Sequence, residues 1–228
     1  MCGIAGFVSL TGGRPDPLRL AAMVATLKHR GPDDRGTFTD GPAALGAARL
    51  SIIDVAGGHQ PISIEGGAIT VAQNGEIYNY VELQRELESQ GRTFATSCDT
   101  ETIAHLYARD GVAGFARMRG MFAVAIWDAR RERLILARDR VGKKPLYYFQ
   151  GNGELLFGSE TKAILAALNG PPPVSASALL EFFSFGYVAG EQAAFEGMRR
   201  LAPGHGPDRG RAVGSGHDRA LLGMAARR

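Results

Sequence analysis

Cys2 lies directly behind the initiator methionine, in the opening sequence MCGIAGF. The residue after Met1 is small, so removal of the methionine is expected, and this leaves a thiol and an α-amine on one residue. Reference pKa values are about 7.7 to 8.0 for an α-amine and about 8.5 for a thiol, so each is within reach of the form that catalysis needs near neutral pH. The amine can take the thiol proton, as in other N-terminal nucleophiles. The alternative is an ordinary cysteine on an edge strand, and position alone does not decide between the two.

The elements that could position Cys2 are indicated by hydrophobic periodicity and by helix and turn signals. Strands are predicted over residues 2–10, 43–53 and 68–73, and hairpins over 121–138 and 146–157. The pair Asn74-Gly75 predicts a tight turn. Helices are predicted at four places: after the Asp16-Pro17 pair, after caps at Asn79 and at Asp99, and over residues 160–168. Helices that flank several hairpins predict an α+β fold with antiparallel sheets.

The composition predicts a folded globular protein. Of the 228 residues, 45% are apolar and 21% are charged, which are ordinary shares for a chain with a substantial core. No apolar run is long enough to span a bilayer, and the N-terminus lacks the layout of a signal peptide, so a cytoplasmic protein without a membrane partner is predicted. Two cysteines, Cys2 and Cys98, do not make a disulfide framework, and no His/Cys spacing predicts a metal site.

Positive charge is concentrated at the C-terminus. The segment 206–228 carries a net charge of +3, which is the formal net charge of the whole chain, so residues 1–205 are neutral overall. A basic nucleic-acid-binding module would rest on this segment alone, and no recognised reader motif accompanies it. No nucleic-acid partner is therefore predicted.

A series of motifs resembles one enzyme family. In chain order these are MCGIAGF, HRGPDD, ARLSIID, AQNGEIYNY, SCDTET, RGMFAVAIWD, RDRVGKKPLYY and LLFGSETKA. They have the order and approximate spacing of the glutaminase domain of glutamine-dependent asparagine synthetases and related amidotransferases, and the resemblance covers about residues 2–205. This family implies a four-layer αββα sandwich of antiparallel sheets, of the N-terminal nucleophile hydrolase type, that hydrolyses L-glutamine.

The resemblance implies catalytic roles for three residues. Cys2 would attack the side-chain amide of glutamine and form a thioester. Asn74, through its side-chain amide, and Gly75, through its backbone N–H, would donate hydrogen bonds to the oxyanion of the tetrahedral intermediate. A tight turn is the commonest use of an Asn-Gly pair, and this structural role is compatible with the catalytic one.

Substrate-binding roles are implied for three further residues. Arg49 resembles the arginine that binds the glutamine carboxylate, since a guanidinium suits a bidentate contact. Asp99 resembles the aspartate that binds the substrate ammonium, and Glu76 is a further polar contact. Without the resemblance, the alternative role of Arg49 is a surface charge and that of Asp99 is a helix cap. Residues 29–33 resemble a loop that closes over glutamine, and residues 138–148 resemble a segment near the synthetase junction, to which no catalytic role is assigned.

The domain organisation follows from where the resemblance ends. Residues 2–170 are predicted to form the glutaminase domain, 171–205 a linker with the start of a missing synthetase region, and 206–228 a Gly/Ala/Arg-rich tail that is disordered. A synthetase would carry a Ser-Gly-Gly-x-Asp-Ser type loop for ATP, and residues 214–218 match it only by chance. A reading-frame change or truncation is one hypothesis for this ending.

The sequence is compatible with two functions. In the first, the chain is an active glutaminase that needs no cofactor for this half-reaction and supplies ammonia, alone or to a separately encoded ATP-dependent synthetase, where ATP and Mg would be used. In the second, it is a non-productive fragment that binds glutamine or a partner without turnover. The ammonia acceptor and the oligomeric state are left open.

Overall fold

Two β-sheets form the centre of the computed structural model, which describes residues 1–204 and, for the backbone alone, 211–212 and 220–222. In chain order the strands are β1 (Gly3–Ser9), β2 (Asp34–Asp40), β3 (Ala43–Arg49), β4 (Ile62–Ile64), β5 (Ile69–Ile77), β6 (Gly120–Asp128), β7 (Arg133–Arg138), β8 (Tyr147–Gly151), β9 (Glu154–Gly158), β10 (Met198–Arg200), β11 (Arg211–Ala212) and β12 (Ala220–Leu222). The helices are α1 (Pro17–Ala25), α2 (Tyr80–Ser89), α3 (Asp99–Asp110), α4 (Thr161–Leu165) and α5 (Ala176–Phe185). Short 3-10 turns cover Glu65–Gly67 and Gly111–Arg117.

The topology places β1 and β5 inside their sheets. The first sheet has the order β10-β8-β9-β1-β3-β2, and the second has the order β11-β12-β7-β6-β5-β4. Described neighbours are antiparallel except for the parallel pair β12 and β7. Gly3 in β1 lies opposite Ala48 in β3, and Ala5 lies opposite Gly158 in β9. Cys2 therefore comes directly before a central strand, and the edge-strand alternative is wrong.

Hydrophobic clusters join four layers. Side chains from both sheets, such as Ile4, Trp127 and Phe157, form the cluster between them. Leu20 of α1 and Ile164 of α4 belong to a cluster with β1 and β3 on the outer face of the first sheet. Residues of α2 and α3 pack on the outer face of the second sheet. All seven residues of β1 are buried, because a sheet covered on both faces needs an apolar run rather than an alternating pattern.

Local signals predicted several elements well. Asp16 caps α1, because its carboxylate accepts a hydrogen bond from Leu18 N at 2.8 Å. Both hairpins are present, as β6 with β7 and β8 with β9. Asn79 occupies the cap position of α2, but its side chain binds the segment after α3 instead, where its Oδ1 accepts from Arg119 N and its Nδ2 donates to Arg117 O. Asn79 thus ties α2 to the entry of β6.

Six of these strands and helices were not predicted, namely β2, β4, α5, β10, β11 and β12. Strand β2 (DRGTFTD) lies at the edge of its sheet and buries none of its residues, so its sequence lacks an apolar face. Helix α5 buries only Ala178 and leaves Leu180 and Phe183 largely exposed. The segment predicted as a linker, 171–205, contains α5 and the edge strand β10, which pairs with β8.

The predicted tail falls mainly on residues outside the described part. Residues 205–210, 213–219 and 223–228 are not described, so the prediction of disorder for them stays a prediction. Strands β11 and β12 come from this segment and pair with each other at the edge of the second sheet. None of the helices in the described residues has both the length and the apolar character needed to cross a membrane.

Candidate active site

All six residues predicted for the site line one pocket of about 450 Å³. They come from four places in the fold: the residue before β1, the last residue of β3, the second half of β5 and the first residue of α3. The residues are Cys2, Arg49, Asn74, Gly75, Glu76 and Asp99. Side chains that are distant in sequence therefore share one cavity between the two sheets and α3.

Hydrogen bonds hold both the backbone and the side chain of Cys2. Its carbonyl accepts a hydrogen bond from Arg30 Nε at 3.0 Å, and its half-buried Sγ lies 3.4 Å from Leu50 N, which donates to it. Arg30 is anchored in turn by Glu160, with 2.8 Å between Nη1 and Oε1. Burial alone would raise the pKa of Glu160. Hydrogen bonds from Arg30, His29 and Lys162 outweigh this and lower the pKa to about 2. This anchor is therefore an ion pair at neutral pH.

The Asn74 side chain is fully buried and has no hydrogen-bond partner in the described structure. Neither its Nδ2 nor its Oδ1 is satisfied, although the residue is 0% exposed. Leaving a buried polar group unpaired costs about 1–3 kcal/mol, so such groups are rare outside functional sites. Because Asn74 lines the pocket, its amide is free to bind a group that enters it.

Gly75 lies inside β5, so the predicted turn at Asn74-Gly75 is wrong. Asn74 pairs with Ala123 of β6 and Gly75 with Phe122, which makes both residues part of a continuous ladder. Gly75 has a φ of 149°, and a Cβ added there would lie 2.0 Å from Met121 O. Only glycine permits this close approach of two backbones at the pocket wall.

Arg49 is a buried cation that organises the loop after β3. The residue is 3% exposed, and its Nη2 donates to Ile53 O at 2.8 Å and Asp54 O at 2.7 Å, while Nη1 donates to Val55 O at 3.2 Å. No carboxylate among the described residues lies within 4 Å of its guanidinium. Arg49 is therefore not a surface charge, and it lines the pocket.

Asp99 is the first residue of α3 rather than its cap, so the cap interpretation is wrong. Its Oδ2 accepts hydrogen bonds from Gln73 Nε2 and from Ile77 N, both at 2.9 Å, and makes no capping contact. Burial raises the pKa of the Asp99 carboxyl, and the hydrogen bonds from Ile77 and Gln73 oppose that rise. The Asp99 carboxyl lines the pocket together with the half-buried Glu76.

A polar cluster below Asp99 was not found by sequence reasoning. Gln60 accepts from Gln73 N at 2.7 Å and donates to Thr100 Oγ1 at 3.2 Å, and Thr100 Oγ1 donates to Gln73 Oε1 at 2.6 Å. These buried side chains hold Gln73, which in turn holds Asp99. No local signal marks them, because the three residues meet only when β5 and α3 pack together. Lys144 was also missed, although it lies in the motif RDRVGKKPLYY and lines the pocket.

Comparison with known sequences identifies similar proteins over most of the chain. Residues 1–213 match the model of a family described as a glutamine amidotransferase domain. Asparagine synthetase (glutamine-hydrolyzing) 1 of Bacillus subtilis is 38% identical over 207 residues, covering 90% of this chain and 33% of that protein. Asparagine synthetase (glutamine-hydrolyzing) 3 of the same organism is 35% identical over 209 residues, covering 90% and 34%. The chain spans about a third of the length of these relatives.

Solved structures with the same fold are also found. One is the glutamine phosphoribosylpyrophosphate amidotransferase of Bacillus subtilis complexed with ADP and GMP, with a TM-score of 0.61 and 24% identity over 73% of this chain and 43% of that one. Another is an allosteric regulatory enzyme of purine biosynthesis, with a TM-score of 0.62, 25% identity and the same coverage. Together with the two sheets and flanking helices, these matches confirm the predicted α+β sandwich of the N-terminal nucleophile hydrolase type.

Proposed function

The chain belongs to the glutamine amidotransferase domain family, and from this we propose that its pocket hydrolyses L-glutamine to glutamate and ammonia through a thioester on Cys2. One observation carries the proposal. The Cys2 thiol and the unpartnered Asn74 amide line a single pocket that also presents a buried cation and a buried carboxylate. A nucleophile, an oxyanion donor and two opposite charges are the groups that acyl transfer from an amino acid amide needs.

The charges of the pocket suit the two ends of glutamine. Arg49 offers positive charge for the substrate carboxylate, and Asp99 offers negative charge for the substrate ammonium. Glu76 adds a second acidic group beside Gly75. With both ends held, the side-chain amide of glutamine is the part left to meet Cys2 and Asn74.

The reaction then uses only groups of this chain and water. The Cys2 thiol gives its proton to the α-amine as sulfur bonds to the amide carbon, and Asn74 and the Gly75 N–H donate to the oxyanion. The C–N bond breaks as the amine returns the proton to the leaving nitrogen, and ammonia departs. Water adds to the thioester with help from the same amine, and glutamate and the thiol are released.

The test is the release of glutamate and ammonia from glutamine by the purified protein, whose N-terminus is checked by intact mass. We expect the two products in equal amounts, and only from protein that begins at Cys2. Protein that begins at Cys2 and binds glutamine by calorimetry without releasing either product would contradict the proposal and favour the non-productive fragment.

Asp99→Asn is expected to raise KM for glutamine about 10- to 100-fold, because a charge-assisted hydrogen bond to the substrate ammonium contributes roughly 1.5–3 kcal/mol. The substitution keeps the shape of the side chain, so kcat should change much less. Since burial raises the pKa of Asp99, the wild-type KM should rise as the pH falls through that raised value, where the carboxyl becomes neutral. Steady-state kinetics against pH measure both effects. A KM that stays constant in the variant and across pH would remove Asp99 from substrate binding.

We further propose that the ammonia is used by an ATP-dependent amidation. The named relatives are asparagine synthetases that hydrolyse glutamine, and each is about three times the length that this chain covers. The acceptor, and the ATP and Mg used to activate it, would belong to that second reaction. Glutamine hydrolysis itself requires no cofactor in the scheme above.

A further inference from the structure

Lys144 is a buried lysine in the candidate active site, and the scheme above does not use it. The residue is 4% exposed and lines the same pocket as Cys2. Its Nζ lies 3.1 Å from Sδ of Met1, which is a weak acceptor. In the described part of the chain, no carboxylate oxygen lies within 4 Å of this ammonium. Burying a cation without such a partner costs free energy, and buried charges of this kind are often found at functional sites.

The backbone of Lys144 is fixed by two buried charged residues. Its N–H donates to Asp139 Oδ2 at 3.0 Å, and its carbonyl accepts from Arg138 Nε at 2.5 Å. Asp139 is 1% exposed and also accepts from Lys143 N at 2.9 Å, while Arg138 is 7% exposed. The loop after β7 is therefore rigidly held, and this places the Lys144 side chain in the pocket.

Several charged groups face Lys144 and Cys2 from the elements around the pocket. They are Glu76 from β5, Arg30 from the segment after α1, Arg49 from the end of β3, Asp99 from α3 and Lys143 from the same loop. Burial is the main cause that lowers the pKa of Lys144; Glu76 acts against this, and Arg30 acts with it. Among these charged residues, Lys144 is the one with a side-chain contact to Met1. Met1 is bonded to the nitrogen of Cys2.

We propose that Lys144 is a positioning residue for the nucleophile Cys2. The Lys144 ammonium disfavours protonation of the α-amine that Cys2 acquires when Met1 is removed. This inference rests on the proposed function, in which that amine must be neutral to accept the thiol proton. The side chain that contacts Met1 in the unprocessed chain then faces the new N-terminus across the space that Met1 leaves. Two cations so placed repel, and the amine gives up its proton at a lower pH.

The expected effect is a shift in the pH dependence of glutaminase activity. In the wild type, the acid limb of kcat/KM should lie below the reference pKa range of an α-amine, about 7.7 to 8.0. Lys144→Met removes the charge and keeps most of the side-chain volume, so the acid limb should move to higher pH by about one unit. Activity should therefore fall about tenfold at a pH below the limb and change little above it.

Lys28→Met is the matched control, since it makes the same chemical change at an exposed lysine that does not line the pocket. Its acid limb should coincide with that of the wild type. If Lys144→Met loses its circular dichroism spectrum, Lys144→Gln provides the same removal of charge. A limb that stays in place in the folded variant, with activity lowered equally at every pH, would assign Lys144 a structural role only and overturn the proposal.

A second measurement separates this proposal from the proposed function. The chain has only two cysteines, so protein labelled with 15N-cysteine gives one amine resonance, from Cys2, and one amide resonance, from Cys98. Titration of the amine resonance reports its protonation without any turnover. A midpoint that rises by about one unit in Lys144→Met supports the inference even if glutamine is not hydrolysed. An unchanged midpoint refutes it even if glutamine is hydrolysed.

Discussion

Cys2→Ala is expected to abolish the release of glutamate from glutamine. The thioester scheme assigns the covalent intermediate to the Cys2 thiol alone, so the rate should fall to that of a blank without enzyme. Cys98→Ala is the matched control, because Cys98 is a second thiol that lines the same pocket. Burial raises the pKa of the Cys98 thiol to about 11, so it is not a nucleophile at neutral pH. The Cys98→Ala variant should keep its activity within a few-fold of the wild type.

The free amine of Cys2 can be tested separately from its thiol. Inserting one alanine between Met1 and Cys2 leaves the thiol in the chain but turns its α-amine into an amide, which cannot carry a proton. We expect this variant to be as inactive as Cys2→Ala in a coupled glutamate assay. Substantial turnover by the insertion variant would mean that another base accepts the thiol proton, and the mechanism would have to be revised.

Asn74→Ala is expected to lower kcat about 100- to 1,000-fold and to change KM little, because loss of one oxyanion donor acts mainly on the transition state. The reason lies in the buried amide, which has no partner among the described residues and lines the pocket. For the same reason, removing it breaks no hydrogen bond, so the free energy of unfolding should change little. Steady-state kinetics and thermal unfolding of the same preparation measure the two quantities.

Asn79→Ala is the control for Asn74→Ala, because we expect it to change the free energy of unfolding and not kcat. Asn79 is also a buried asparagine near β5, but its amide makes two hydrogen bonds, to Arg117 O and from Arg119 N. Its removal should lower the free energy of unfolding by about 1–3 kcal/mol and leave kcat close to the wild type. If Asn74→Ala instead lost stability and kept its kcat, its amide would be a structural group and the oxyanion role would be wrong.

Much of the fold was predictable because its signals are local. The cap at Asp16 and the two hairpins depend on residues within a few positions of one another, and they are present in the structure. The errors arose where a distant partner decides the structure. Asn74-Gly75 is a common turn pair, yet β6 pairs with both residues and keeps them in a strand. Asp99 has the type and position of a cap, but Gln73 and Ile77 bind its carboxylate from β5.

The amino-acid sequence was sufficient to identify the reactive groups that this protein carries. A cysteine next to Met1 is a covalent fact, and the series of motifs around it identified the family, which the family model and the relatives then confirmed. The packing of the folded chain, by contrast, sets which of these groups can act together. It left the Asn74 amide unpartnered, bound Arg49 to backbone carbonyls and placed Lys144 beside Met1. The pocket gathers residues from the segment before β1, from β3, β5 and α3, and from the loop after β7, because burying the faces of both sheets brings these parts of the chain together.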